Sequence, residues 1–297
     1  MKKNSPTHRS KALDIFYRVL SNCSLKCLFK IAKIIAFIAF HTKNQLSSQT
    51  TKNIKLCFPE LSNSEQRNLI FESLHHTCCA FIELASLWNL PIDTVLTEIK
   101  IKNIDKHFFN SDKVNIVIAP HHGSWEMLNL WLASSGISYS LYKPARSNGV
   151  DQYVLQKRSR NNAILVPANT SGLRQLLQGL KKTKASCMIL PDQRPATRTA
   201  QVDAPFYNFP APTSLLIKRL SSKLDCDIYI ASATRDLDTA SYQLSIKLLE
   251  HSEFLKDDLQ SATYLNESIQ NIIKEQKSQY QWAYRRFNKE VYKNNLP

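Results

Sequence analysis

The longest apolar run in the chain, Leu28 to Phe40, is broken only by Lys30 and Lys33. It sits inside a longer amphipathic pattern that starts at Leu13, with Arg18, Lys26, Lys30 and Lys33 spread among Phe16, Leu20, Leu25 and Phe29. Thirteen helical residues rise roughly 20 Å, short of the ~30 Å hydrocarbon core of a bilayer. The pattern therefore predicts an N-terminal membrane-associated helix lying in an anionic interface, with a short or tilted span as the alternative. Residues 46 to 98 read as helices; Ser62 or Asn63 is placed to cap an amphipathic run through Trp88 that ends at Asn89-Leu90-Pro91. From Val114 the texture becomes short apolar runs alternating with helical patterns. Strands are predicted at Val114 to Ala119, Ser138 to Tyr142, Ala163 to Val166, Cys187 to Leu190, Ile228 to Ala233 and Tyr242 to Leu248. Helices are predicted near Ser124 to Ser135, Val150 to Arg160, Ser171 to Lys182 and Thr213 to Lys223. This alternation implies an α/β fold, a mixed sheet flanked by helices. The region from Phe254 to Phe287 is again helical in pattern, with Ile269, Ile272 and Ile273 on one face. The organisation is then a basic anchor over 1–45 and one large domain over 46–297, made of a helical lead-in (46–98), an α/β core (99–253) and a C-terminal helix (254–297). The Pro-rich stretch Pro191 to Pro212 reads as a long functional loop.

Charge sharpens the N-terminal reading. The chain carries +15 overall, but residues 1 to 55 hold eleven Lys or Arg against the single acid Asp14, a net of +10, while the remaining 242 residues carry only +5. A polyanionic partner follows, and the concentration of charge around the apolar helix favours an anionic membrane face over nucleic acid. No aromatic and basic interleaving of the kind that RNA or DNA modules use is present. No small-residue cleavage site follows Phe40, so a cleaved secretory signal is not expected. The five glycines spell neither GxGxxG nor a GxxxxGK[ST] loop, which excludes Rossmann dehydrogenases and P-loop NTPases. Seven scattered cysteines without a CxxC pair argue against a disulfide framework or a zinc module and for a reducing cytosol. His75-His76-Thr77-Cys78-Cys79 offers ligand types for a metal, yet it lies inside an apolar helical pattern where Cys serves as a small hydrophobe.

The chemistry concentrates in Ile116-Val117-Ile118-Ala119-Pro120-His121-His122-Gly123-Ser124-Trp125-Glu126. A β-branched strand runs into a tight turn, and Ser124 is placed to cap the helix that follows. His121 and His122 fall at the carboxyl end of that strand, where α/β proteins place their sites. Glu126, in the first helical turn, is in reach of an imidazole in the preceding loop. A carboxylate on one ring nitrogen fixes the tautomer and leaves the other nitrogen to take a proton from a substrate hydroxyl, which would then attack an activated acyl group. The bland alternative is that Glu126 merely favours the helix dipole and the histidines are polar loop residues.

The form HHGSWE resembles the His-x4-acid motif of the lipid A biosynthesis (late, secondary) acyltransferases, the lauroyl/myristoyl transferase family of Gram-negative bacteria. Lys55-Leu56-Cys57-Phe58-Pro59-Glu60-Leu61 is similar to that family's segment after its N-terminal membrane helix, Tyr142-Lys143-Pro144 to its YRP, and Arg158-Ser159-Arg160 to its RxR. Leu190-Pro191-Asp192-Gln193 resembles its PDQ or PDH, Ala204-Pro205-Phe206-Tyr207 its VPFF, and Gln281-Trp282-Ala283-Tyr284-Arg285-Arg286-Phe287 its closing segment. These run in the family's order from about residue 50 to 290. Departures are His122 for the usual Phe, Ser124 for Asn, and Ala119-Pro120 for a Thr-Gly pair.

The resemblance implies a glycerolipid-acyltransferase-like fold, with His121 as general base and Glu126 as the residue that orients it. Arg158, Arg160 and Asp192 are carried over as substrate-binding candidates: arginines suit phosphates or developing negative charge, and Asp192 suits holding such an arginine in place. Read without the family, an Arg-x-Arg on a helix is commonly solvated surface, and Asp192 after a strand a turn former. Trp125, Leu128 and Trp131 are candidates to line an acyl pocket, with core packing the alternative. The expected reaction moves a fatty acyl chain from acyl carrier protein to a hydroxyl of a lipid A precursor at the cytoplasmic face of the bacterial inner membrane, with no metal or other cofactor, since a thioester is already activated. The competing readings are acyl transfer to another membrane glycolipid or lipid-linked product, using acyl carrier protein or coenzyme A, and a non-enzymatic basic membrane-binding protein.

Overall fold

The run Val114–Ile118 is buried at all five positions, as a central strand flanked on both faces must be. In the computed structural model, which describes residues 8–110, 112–145, 147–195 and 200–296, it is β2 of a seven-stranded sheet. The spatial order is β1 (Ile99–Ile104), β9 (Ser241–Leu249), β8 (Cys226–Asp236), β2, β5 (Ser186–Ile189), β3 (Ser138–Tyr142) and β4 (Ala163–Pro167). All neighbours pair in parallel except β8 with β9, so the sheet is mixed, as the alternation of patterns implies. Crossover helices α7 (Trp125–Ser135), α8 (Asn148–Arg158), α9 (Thr170–Thr183) and α10 (Leu216–Ser221) connect its strands.

Two parts depart from the sequence reading. Pro191–Pro212 is not one long loop: β6 (Gln201–Phe206) and β7 (Phe209–Ser214) form an antiparallel hairpin with Pro205 opposite Pro210. Its two-residue turn holds Tyr207 at φ 48° and Asn208 at φ 65°, the left-handed pair that normally announces itself as Asn-Gly. Without a glycine the turn is silent in the sequence. The predicted C-terminal helix stops early: α11 (Asp258–Glu275) is followed by a short 3-10 turn and an irregular segment, itself turning at 282–284, that reaches Phe287. That segment runs back beside β2, where Gly123 N–H donates to the Gln279 carbonyl at 3.0 Å and Gln281 N–H to the His121 carbonyl at 2.9 Å. β1, too polar to stand out as a strand, is a solvent-facing edge.

The N-terminal pattern folds as two helices rather than one. The polar Ser21-Asn22-Cys23-Ser24 breaks it, and Ser24 caps the second through the amide of Cys27. α1 (His8–Leu20) lies on α5 (Leu84–Asn89) and α8, with Tyr17 edge-on to Trp88 and Asp14 3.4 Å from Lys157. α2 (Leu25–His41) buries Leu28, Phe29, Ala32 and Ala36 against α4 (Asn63–Ile82), so one face of the expected anchor belongs to the common core. Between α2 and α4 in the chain lies α3 (Gln45–Cys57); α4 starts at the Ser62 capping box with Glu65, and the short α6 (Ile92–Leu96) follows α5. Among the described residues no helix is long and apolar enough to cross a membrane. The part of the predicted anchor before His8 lies outside the described residues.

Candidate active site

Parallel strands carry their ends to one edge, and the register decides who meets whom there. Ile118 of β2 is paired with Ile189 of β5, and Ala119 N–H donates to the Ile189 carbonyl at 2.9 Å. Three residues further along each chain stand His121 and Asp192. The His121 ring donates from Nδ1 to Asp192 Oδ1 at 2.8 Å, and its backbone N–H donates to Oδ2 at 2.9 Å. Asp192 is buried, 2% exposed, and His121 is partly exposed and lines the cavity. Burial alone would raise the Asp192 carboxyl, but the charge of His121 and its two hydrogen bonds, with Arg286 nearby, more than offset it and hold the group below its ordinary range. With Nδ1 as donor, Nε2 is the basic nitrogen, and it accepts from the Gln193 side-chain amide at 3.0 Å.

Glu126 does not meet His121. Its two carboxylate oxygens take the guanidinium of Arg158 in a bidentate pair, Nε to Oε2 at 3.1 Å and Nη2 to Oε1. The first turn of α7 faces the last turn of α8, where Arg158 is the final residue, so Glu126 points across to the helix end and away from the loop behind it. The expected roles of the two acids are therefore exchanged: Asp192 holds the imidazole and Glu126 holds the arginine. Arg160 departs further. It reaches the carbonyls of Leu87 and Leu90, both at 2.5 Å, satisfying the open end of α5; it does not line the cavity.

His121, Glu126 and Arg158 open on one cavity of about 510 Å³, with Trp125, Gln193 and Tyr284 also on its wall. Leu141, Leu165, Met188 and Leu190 make much of the remainder apolar. Of the three apolar candidates only Trp125 lines it, 5.1 Å from the His121 ring. Leu128 is core, and Trp131 packs on Phe108 and Phe109. The residue that sequence reasoning passed over is Gln193, which was visible only as the companion of Asp192. Among the described residues no group of three His, Cys, Asp or Glu is placed to hold a metal, and the His75-to-Cys79 segment is helix interior.

The turn is clamped from behind. Gly123 has φ +63°, and a Cβ there would stand 2.3 Å from the Ala233 carbonyl oxygen. Gly123→Ala is expected to destabilise by more than the 1–2 kcal/mol of the left-handed conformation alone, read as a fall in urea midpoint. Ser124, the N-cap of α7, donates through Oγ to Glu83 at 2.7 Å. Glu83 also receives Arg235 Nε and Nη2 at 2.7 and 2.6 Å and Tyr242 at 3.1 Å.

A family model described as bacterial lipid A biosynthesis acyltransferase matches residues 12–289. The chain belongs to this acyltransferase family. Over 242 residues it is 26% identical to the lipid A biosynthesis palmitoleoyltransferase of Escherichia coli (strain K12), covering 80% of this chain and 76% of that protein. It is 22% identical over 240 residues to the lipid A biosynthesis lauroyltransferase of the same organism, with 80% and 77% covered. A lipid A biosynthesis acyltransferase of Haemophilus influenzae is 21% identical over 240 residues, with 80% and 75% covered. Membership makes the protein an acyl-transferring enzyme of lipid A biosynthesis.

In this lipid A acyltransferase His122, the neighbour of the proposed base, faces away from the cavity. It is 1% exposed, its Nε2 meets the Gln276 carbonyl at 3.0 Å, and burial pushes its pKa down to about 4. Burial also lowers His75 and, more strongly, His76. A histidine harder to protonate when folded contributes stability that is present above its unfolded value of about 6.5 and is lost as pH falls towards the folded value. For His122 alone the loss between pH 6.5 and 4 is roughly 3 kcal/mol. The expected result is a urea midpoint that falls steeply across that window, and less steeply in His122→Gln.

Proposed function

We propose that this enzyme transfers a fatty acyl chain from an acyl carrier protein thioester to a hydroxyl of a lipid A precursor, with His121 as general base. The observation that carries the reading is the imidazole held by a buried carboxylate on the wall of a cavity that combines apolar and basic side chains. The acceptor oxygen attacks the thioester carbonyl while its proton passes to His121 Nε2. The tetrahedral intermediate then expels the thiolate, which takes that proton back and leaves as the carrier thiol. Asp192 keeps the proton of the resting imidazole on Nδ1 and stabilises the imidazolium formed during attack. In this reading the acceptor hydroxyl takes the place of the Gln193 amide, which stands 3.0 Å from Nε2. Arg158, steadied by Glu126 and about a third exposed to the cavity, is available to a phosphate of the glycolipid or to the developing oxyanion.

The same reading seats the protein on the cytoplasmic face of the inner membrane. Ile15, Phe16 and Val19 of α1 and Ile34, Phe37 and Ile38 of α2 are each about half exposed or more, beside the basic residues of the most positive part of the chain. Such a surface suits the interface of an anionic bilayer. The acidic carrier protein would complement the remaining positive charge.

Purified enzyme given acyl carrier protein thioesters of several chain lengths and a lipid A precursor is expected to yield the acyloxyacyl product. Lipid A from cells lacking the protein is expected to carry one acyl chain fewer by mass spectrometry. An unchanged acyl number would move the acceptor to another membrane glycolipid, and activity intact in His121→Ala would overturn the base assignment.

A further inference from the structure

A second cavity, of about 860 Å³, lies between α2, α4 and the turn joining β8 to β9, and shares no lining residue with the one holding His121. Its charges are sorted by side. Lys26, Lys30 and Lys33 line it from α2, while Asp236 and Asp238 line it from the turn, with Glu72 on α4. Among the described residues none of the three lysines forms an ion pair. The fourth cation on the wall, Arg235, is already bound to Glu83.

The wall also carries an unanswered polar group. His76 is nine-tenths buried and lines the cavity, yet its Nδ1 has no hydrogen-bond partner. That nitrogen lies beneath the wall, so the ring is a reporter of what enters the cavity. The third observation is the helix surface beside the mouth. At 100° per residue α2 shows three stripes: Leu28, Phe29, Ala32 and Ala36 to the core, the lysines next, and then Ile34 and Ile38, 62% and 56% exposed. A lipid whose headgroup entered the cavity would have an apolar surface beside it.

We propose that this cavity is a separate phospholipid site that takes a phosphoethanolamine headgroup, its phosphate on the lysines of α2 and its primary ammonium on Asp236 and Asp238. A purely anionic headgroup would answer the lysines but leave the carboxylates facing a phosphate. A choline headgroup has no N–H to donate to them. Asp236 is suited to the role because Oδ1 is already committed to the Asp238 and Thr239 amides, at 3.1 and 3.0 Å, which fixes the side chain. Only the choice of a phospholipid as the ligand rests on the membrane-surface reading above; the headgroup contacts depend neither on that seat nor on the acyl-transfer chemistry.

The test uses the full-length protein and short-chain phosphatidylethanolamine, with short-chain phosphatidylcholine, short-chain phosphatidylglycerol and inorganic phosphate as comparisons, at about 0.15 and 0.5 M salt. Thermal midpoint, calorimetric affinity and the NMR signal of the His76 ring are followed. The expected result is that the ethanolamine lipid raises the midpoint and shifts the His76 signal at both salts. The combined K26Q, K30Q and K33Q changes weaken its binding at least tenfold. D236N with D238N, which keeps the Oδ1 acceptors, removes the preference over choline. Acyl transfer to a detergent-solubilised acceptor is unchanged in both. An equal response to inorganic phosphate would make this a free-phosphate site and overturn the proposal. So would a response to phosphatidylglycerol alone that vanishes at 0.5 M salt, or an unmoved His76 signal. Serine at all six exposed apolar positions, Ile15, Phe16, Val19, Ile34, Phe37 and Ile38, separates the two readings: loss of vesicle binding with short-chain lipid still bound supports both, whereas vesicle binding retained in that variant overturns the membrane seat and leaves the headgroup site standing.

Discussion

Asp192→Asn lowers kcat for acyl transfer by about 10²–10⁴-fold with KM little changed, in the purified enzyme under saturating thioester. The carboxylate accepts from both the Nδ1–H and the backbone N–H of His121. An amide offers one acceptor and one donor in its place. Turned to keep the backbone bond, it presents N–H to the ring and stabilises the tautomer with the proton on Nε2, the nitrogen that must be free. Turned the other way, it loses the backbone bond. Neither orientation steadies the imidazolium. Glu126→Gln is expected to behave differently, because it changes the seat of Arg158 and not the ring: substrate binding weakens, and the pH profile of kcat keeps its shape. If instead Glu126→Gln alters the profile while Asp192→Asn leaves it intact, the orienting acid is Glu126. The carboxyl of Asp192 is held below its ordinary range in the fold, so its contribution to stability is present above the unfolded value of about 3.9 and is lost as pH falls through the lower folded value. Asp192→Asn should remove that part of the acid dependence.

Glu83→Ala lowers the free energy of unfolding by about 3–5 kcal/mol, measured by urea titration. Glu83 and Arg235 are each 1% exposed at the side chain. Removing the acid strands a guanidinium in the interior, beside Tyr242 and the N-cap hydroxyl of α7, each of which loses its acceptor. Removing both charges together, as Glu83→Leu with Arg235→Met, is expected to recover most of the loss, since no buried charge is then left unpaired. Activity should fall in the single variant and return only in part in the double one. The reason is geometric: Ser124 follows His121 by three residues, and its Oγ bond to Glu83 helps fix the turn that presents the imidazole.

Much of the architecture was legible in residue pattern. The short runs at Val114, Ser138, Ala163 and Cys187 became parallel strands within a residue or so of their expected ends. Period-2 and period-3.6 hydrophobicity is a local property that burial enforces directly. The same holds for His121, because a strand end followed by a glycine turn and a capped helix is written in contiguous residues. What pattern missed was turns without glycine, such as Tyr207-Asn208, and irregular chain that packs without a helix or strand period, such as 280–287.

Partnership was a different matter. His121 and Glu126 are neighbours in sequence, and proximity along the chain suggested that they act on each other. His121 and Asp192 are seventy-one residues apart, and nothing local links them. They meet because β2 and β5 pair in parallel with Ile118 against Ile189, a register set by the burial of two whole strands. Glu126 is turned away by the rotation of its helix, which aims it at the end of α8 and Arg158. Residue types and spacing were enough to expect that His121, Glu126 and Arg158 would gather at one sheet edge. Which carboxylate holds the imidazole, which holds the arginine, and that Arg160 serves a helix end follow from strand register and helix rotation, properties of packed pairs of elements that no single segment of sequence contains.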